Sequence, residues 1–270
     1  MRHPIMNDDE KLTVLKKHTA DATGDARLGL LRELLLTRVA FKSRFEIHPL
    51  DDESRKKRLM QGEPLVRRSE LFAMLPLMVR QWQGCEKLFR NHSILSGESC
   101  DPGQLLSDFL QEKVNLSDMA SQYGAKGELL HYIMMETLKP VYERYVEAYG
   151  KRVDDSTWTE PFCYVCGGSP GTAVLSGDEG RRYLCCSLCE TEWRYDRFRC
   201  VYCGNDDMEK LVVLTLGDQP SYLLHGCRAC DRYTKVIDMR TRSGDLFLEL
   251  EDILSGTLDV VARNEGFRGY

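Results

Sequence analysis

The sequence predicts an α+β protein: an α-helical N-terminal bundle over residues 1–154, then two tandem metal-knuckle modules at 155–198 and 199–270, the second closing on a C-terminal helix. Three observations predict it. The first half repeats apolar residues at helical spacing between capping residues. The grammar changes near "KRVDDSTWTE" (151–160) to short β-prone runs separated by Gly and Asp turns. Nine of the 11 cysteines lie between 163 and 230, eight of them as Cys-x-x-Cys pairs.

The helices come first. "DARLGLLRELLLTRVAFKSRFEI" places Leu28, Leu31, Leu35 and Val39 near a 3.6 period, with Asp25 as N-cap and Pro49 just past the end. A second helix starts near Ser69, and Pro76 kinks or splits it. A third is framed by Asp101 as cap, Pro102 at the first helical position, Gln104 in a capping box and Gly124 past the end. A fourth follows in "KGELLHYIMMETLKPVYERYVEAYG", where Pro140 bends it or begins a new helix and Gly150 ends it. Helices with short joints predict a bundle. Strand-like runs then follow: "TAVLS", "RRYLCCS", "EWRYDRFRC", "KLVVLTL", "SYLLHGC" and "RYTKVIDM". Helix returns from about Glu249.

The cysteine spacing carries the chemistry. Two residues between cysteines make a tight knuckle that aims both sulfurs at one point, and two knuckles complete a tetrahedral S₄ site for zinc or a single iron. The half also reads as a duplication. "CYVCGG" matches "CVYCGN", and "RRYLCCSLCETEW" matches "SYLLHGCRACDRYTK". Sequential pairing then predicts one zinc-ribbon-like site of Cys163, Cys166, Cys186 and Cys189, and a second of Cys200, Cys203, Cys227 and Cys230. A cross-braced arrangement is the alternative. Gly226 aligns with Cys185, so Cys185 is the spare thiol beside a site. Gly167 and Gly204 follow the first knuckle of each unit, where a left-handed residue is needed.

Composition excludes several classes. Residues 160–270 hold 13 basic and 18 acidic residues, which is the wrong sign for a phosphate-binding module, so no nucleic-acid partner is expected. No apolar run approaches the roughly 18 residues that span a bilayer, so no stable membrane insertion is expected. The start "MRHPIMNDDEKL" lacks the apolar stretch of a secretory leader. Paired thiols without need of disulfides point to a cytoplasmic location. No GxSxG, HExxH or Walker pattern is present.

Other features read as structure. "GGSPG" at 167–171 belongs to a knuckle rather than a phosphate cradle, and "GAKG" at 124–127 joins two helices. "RKKR" at 55–58 is a solvated helix face. His225 lies two residues before Cys227, but four cysteines already fill that site. Trp193 and Tyr233 form small apolar cores after the second knuckles, and Cys85 and Cys100 are buried or idle thiols.

The runs "FCYVCGGSP", "RRYLCCSLCETEW", "RCVYCGN" and "HGCRACDRYTKVI" resemble the formate dehydrogenase accessory protein family, the FdhE-type maturation factors. The tail "LDVVARNEGFRGY" is similar to that family's closing helix. The resemblance covers about 155–270. It implies rubredoxin-like modules, two mononuclear metal ions (iron by resemblance, or zinc) on the eight paired cysteines, and no catalytic residue. It implies a non-enzymatic cytoplasmic factor that binds the catalytic subunit of a respiratory formate dehydrogenase and is needed for its activity. A homodimer is compatible with it. The chain departs from the family pattern at Cys185, where typical members carry another residue. Two other readings remain beside it: a rubredoxin-like electron-transfer protein, or a zinc-ribbon nucleic-acid module.

Overall fold

The computed structural model describes residues 5–21, 25–96, 100–115, 125–149, 157–216 and 219–268. The chain divides into two compact units. One gathers the described residues of 7–51 and 65–152, the other those of 1–6, 52–64 and 153–270.

The first unit is helical. Helix α1 is Asp8–Asp21 and α2 is Ala26–Lys42. Asp25 caps α2 as expected, its side chain accepting from the Arg27 backbone N–H. Leu28, Leu31 and Leu35 are buried, and so is Arg38, whereas Val39 is half-buried. Helix α3, Asp52–Met60, belongs to the other unit. A 3₁₀ turn at Arg68–Met74 precedes α4, Leu75–Asn91. Pro76 lies in the first turn of α4, so it splits the predicted helix rather than kinking it. Helix α5 is Pro102–Leu110, capped by Asp101 through Gly103 N at 2.8 Å and Gln104 N at 3.3 Å. The Gln104 side chain does not close a capping box; it donates forward to Asp108 at 2.9 Å. Helix α6 is Ala125–Tyr149, with Pro140 inside it rather than at a new start. Gly124 and Gly150 lie outside the described residues.

The second unit is built on one sheet. Its strands are β1 Pro170–Ser176, β2 Arg181–Cys186, β3 Glu192–Arg194, β4 Leu211–Leu216, β5 Gln219–Cys227 and β6 Arg232–Asp238. The order is β3-β2-β1-β6-β5-β4. Each repeat is an antiparallel three-stranded meander, and the two join where β1 runs parallel to β6 from Thr172↔Lys235 to Leu175↔Asp238. The two repeats therefore share one sheet.

Two short helices close the unit: α7 Leu248–Leu254 and α8 Gly256–Asn264. On the sheet, α7 packs through Leu248 in a cluster with Val174 and Ile237, and α8 through Leu258 and Ala262 in a cluster with Leu224, Tyr233 and Phe267. Polar ties reinforce the apolar contact. The Tyr222 hydroxyl donates to Glu251 and that of Tyr233 to Asp259, each at 2.6 Å, and the Lys235 ammonium meets Asp259 at 2.9 Å. "RKKR" is part of α3, where Arg55 is buried and paired with Asp52 while Lys56 and Lys57 are exposed.

Candidate metal centres

Each first knuckle sits on a loop ahead of a meander, and each second knuckle caps the turn that leaves its middle strand. At Cys163–Cys166 the chain turns tightly: Gly167 N donates to Cys163 O at 2.9 Å, and Gly167 takes φ +71°. Backbone N–H groups then face the sulfurs, Val165 N to Cys163 Sγ and Gly168 N to Cys166 Sγ, both at 3.3 Å. At Cys186–Cys189, Leu188 N donates to Cys186 Sγ at 3.4 Å and Glu190 N to Cys186 O at 3.1 Å. Glu190 adopts the left-handed φ of +58° that glycine takes in the first knuckle.

The second repeat reproduces this plan. Gly204 N donates to Cys200 O at 3.0 Å with φ +73°, and Tyr202 N donates to Cys200 Sγ at 3.4 Å. Asp231, at φ +55°, stands where Glu190 does, its N–H on Cys227 O at 2.8 Å.

The structure brings together the two sequential groups, Cys163, Cys166, Cys186 and Cys189, and Cys200, Cys203, Cys227 and Cys230. The cross-braced pairing does not occur. In the first group, Cys163 and Cys189 sulfurs are 3.6 Å apart, Cys166 and Cys186 3.4 Å, and Cys166 and Cys189 3.6 Å. In the second, the Cys200–Cys230 and Cys203–Cys227 distances are both 3.8 Å. Sulfurs placed about 2.3 Å from a central ion at tetrahedral angles lie about 3.8 Å apart. The spacing thus fits a mononuclear ion, and either group could hold one. The donor set does not distinguish iron from zinc.

The electrostatics agree. Burial pushes the Cys166 and Cys189 thiols up, and hydrogen bonds shared with Cys163 push them further. Burial opposes ionisation of Cys163 as well, yet its three sulfur neighbours hold it well below the ordinary thiol value. Four buried thiols in contact cannot all ionise unless a cation joins them. Gly168 leaves room for the sulfurs: a Cβ there would lie 3.1 Å from Cys166 Sγ and 3.2 Å from Cys186 Sγ.

The two groups differ in exposure. All four cysteines of the first are buried, whereas Cys203 is exposed and Cys230 half-buried in the second.

Cys185 points the other way. It is buried on β2, opposite in strand alternation to Cys186, and packs with Val174, Ile237, Met239, Leu246 and Leu248. Burial raises its thiol well above the ordinary range. The spare cysteine is a core residue.

Trp193 and Tyr233 are also interior, the Trp193 indole donating to Glu160 O at 3.1 Å. His225 is outside both sulfur groups, and burial, with Arg182 and Arg197 nearby, lowers it to about 4. Cys85 is buried in the helical unit and its thiol is pushed up to about 12, chiefly by burial. Sequence reasoning missed Gly168 and Thr191, whose hydroxyl lies 3.1 Å from Cys189 Sγ. Their position beside a Cys-x-x-Cys pair was the available signal.

Comparison with known proteins converges on one group. Residues 162–197, which contain the whole first sulfur group, match the family model "FdhE, central domain". An FdhE homologue of Aquifex aeolicus is 28% identical over 221 residues, covering 81% of this chain and 76% of the relative. One of Shewanella baltica is 33% identical over 121 residues, 43% of this chain and 39% of the relative, so that alignment spans about two fifths of its length. The fold is shared with the crystal structure of FdhE from Pseudomonas aeruginosa, at TM-score 0.62 and 20% identity over 99% of this chain and 95% of that one. The matched central domain, the relatives and the shared fold all make the chain similar to the FdhE-type formate dehydrogenase accessory proteins.

Proposed function

We propose that the chain is a non-enzymatic cytoplasmic factor that binds the catalytic subunit of a formate dehydrogenase during its maturation. We further propose that Cys163, Cys166, Cys186, Cys189, Cys200, Cys203, Cys227 and Cys230 ligate two mononuclear ions, iron or zinc. The observation that carries the reading is the pair of four-sulfur groups, the first lying within the segment that matches the FdhE central domain. Four thiolates saturate a tetrahedral ion and leave no open position for substrate, which supports a structural role in holding the knuckles. Among the described residues no helix is long and apolar enough to cross a membrane.

Tagged chain is used to pull down purified formate dehydrogenase catalytic subunit, with metal measured on the same preparation. Enrichment over an unrelated bait, with one ion per sulfur group, supports the reading. Absence of enrichment from metal-loaded chain sinks it.

One observation favours a redox reading beside this one: the exposed Cys203 brings the second sulfur group to the surface, where electron exchange would occur. Zinc at both groups rules that out, because zinc is redox-silent.

A further inference from the structure

Residues 160–270 are net acidic, yet one face of the sheet unit gathers arginines that stand outside any close ion pair. Arg182, Arg194, Arg197 and Arg199 form no ion pair among the described residues. Arg182 is the centre. It is only 4% exposed, its Nη2 donates to the carbonyls of Asp196 and Arg199, and its Nε meets no acceptor. Burial lowers it to about 10 despite Tyr195 and Asp196 nearby. The Asp196 carboxylate accepts the Phe198 N–H at 2.9 Å and forms no ion pair with these arginines. Arg197 donates to Gly180 O at 3.4 Å and lies over the Phe198 ring at 5.8 Å, and Arg199 Nε donates to Gly204 O at 3.1 Å.

These four line a cleft of about 560 Å³. Of its acids other than Asp196, Glu179 is already paired with Arg181 at 2.9 Å. Arg182, Arg197, Phe198 and Arg199 also wall a smaller neighbouring cavity of about 110 Å³, flanked by Met208 and Val213. Phe198 is 55% exposed, Met208 and Val213 58% each, and Val213 lies on β4, a free edge of the sheet. Arginine, aromatic and methionine side chains around a desolvated centre are the composition of protein interface cores. Phosphate cradles instead use helix N-termini or glycine nests; among the described residues no helix N-terminus lines this cleft, and its glycine, Gly180, donates its N–H to Gly177 O at 2.9 Å and offers its carbonyl to Arg197.

We propose that this cleft binds an extended acidic segment of a partner protein, its carboxylates on Arg182, Arg194, Arg197 and Arg199 and an apolar side chain against Phe198. Guanidinium forks match carboxylates in bidentate fashion, and a buried, under-partnered one gains most from the match. The inference stands independently of the formate dehydrogenase reading, because it concerns the chemistry of the bound segment and not its owner.

The test is fluorescence anisotropy with the metal-loaded full chain and a labelled peptide that alternates Asp and Glu with Phe and Leu. Binding is expected to weaken about tenfold or more as salt rises from about 0.05 M to about 0.5 M, since exposed charges are then screened. The double variant Arg194→Glu, Arg197→Glu is expected to lose about tenfold or more in affinity with circular dichroism and metal content unchanged. If that variant misfolds, Arg194→Glu alone, at an exposed position, gives the same comparison. No binding by the unaltered chain overturns the proposal. So does equal binding of the variants or of a Gln/Asn version of the peptide. Full displacement by inorganic phosphate would mark a small-anion site only. Tighter binding of a single-stranded oligonucleotide would assign the cleft to nucleic acid. Either result also overturns it.

Discussion

The ring of Phe267 lies against the backbone of Gly226, so closely that a Cβ at Gly226 would sit 2.5 Å from Phe267 Cζ. Gly226 is the position in the second repeat that Cys185 holds in the first. In the first repeat a side chain fills that place from within the strand. In the second, the C-terminal tail fills it from outside. Arg268 N donates to Asp231 O at 2.6 Å, and the Arg228 guanidinium covers the Phe267 ring at 4.2 Å. The tail that follows α8 is thus anchored one residue from the ligand candidate Cys227.

Gly226→Ala is accordingly expected to displace the Phe267 ring and to cost about 1–3 kcal/mol, the range for overpacking a filled core. The double Gly226→Ala, Phe267→Ala should cost less than the sum of the two single changes, because removing the ring also removes the clash. Urea unfolding of the single and double variants measures both. A Gly226→Ala chain as stable as the parent would show that the tail does not press on this strand.

The exposure difference between the sulfur groups predicts two release rates. A chelator reaches the second group past Cys203, whereas the first is closed on all four sides. Chelator-driven release followed by absorbance should be biphasic, with half the metal leaving early. Cys203→Ser should remove the fast phase and leave the slow one. A double Cys163→Ser, Cys166→Ser variant should do the reverse and unfold the first knuckle, since metal binding is coupled to its folding.

Cys185 is expected to behave as a small apolar residue. Cys185→Val should leave metal content unchanged, and Cys185→Ser should cost about 1–3 kcal/mol, because a hydroxyl replaces a thiol among Val174, Ile237 and Met239. Under native conditions its thiol should resist maleimide, being buried and hard to ionise. Mass spectrometry of labelled peptides checks this. Rapid labelling at Cys185 in the folded chain would refute the core assignment.

Local features were the legible ones. Cys-x-x-Cys spacing dictates a knuckle wherever it falls, and duplication selected the sequential pairing over the cross-braced one. Asp25 and Asp101 act within a turn of themselves, so their caps could be read directly. The parallel pairing of β1 with β6 could not be read, because it joins Thr172 to Lys235 across a long stretch of chain and leaves no local pattern. The assignment of α3 to the sheet unit is non-local in the same way. The arginine cleft escaped because net charge averages over a face: the acidic total of the second half hid Arg182, Arg194, Arg197 and Arg199. In α2, periodicity marked Val39 as core and missed Arg38, since a charged residue in an apolar stripe reads as its edge.

Arg38 is 1% exposed and meets Glu136, itself fully buried, at 3.0 Å, and Glu143 at 3.6 Å. Lys42 meets Glu143 at 2.6 Å and Asp8 at 2.9 Å, and Lys139 meets Glu136 at 3.0 Å. This network ties α2 to α6. Removing one member strands buried charges, so Arg38→Leu is expected to cost about 3–5 kcal/mol, and the double Arg38→Leu, Glu136→Leu to cost less than the sum of its parts. The same network sets a pH dependence. Burial would raise the Glu143 carboxyl, but Arg38 and Lys42 outweigh it and hold the group below its ordinary 4.5. A carboxyl with a lowered folded value stabilises above its unfolded value, and that contribution fades as pH falls toward the folded one. Glu143→Gln should therefore be less stable than the parent at about pH 6, with the gap narrowing as pH drops below about 4.5. Comparing the two chains cancels acid effects on the distant cysteines. Denaturant unfolding at a series of pH values measures the gap, and a gap that stays constant across this window would show that Glu143 does not carry its charge into the folded state.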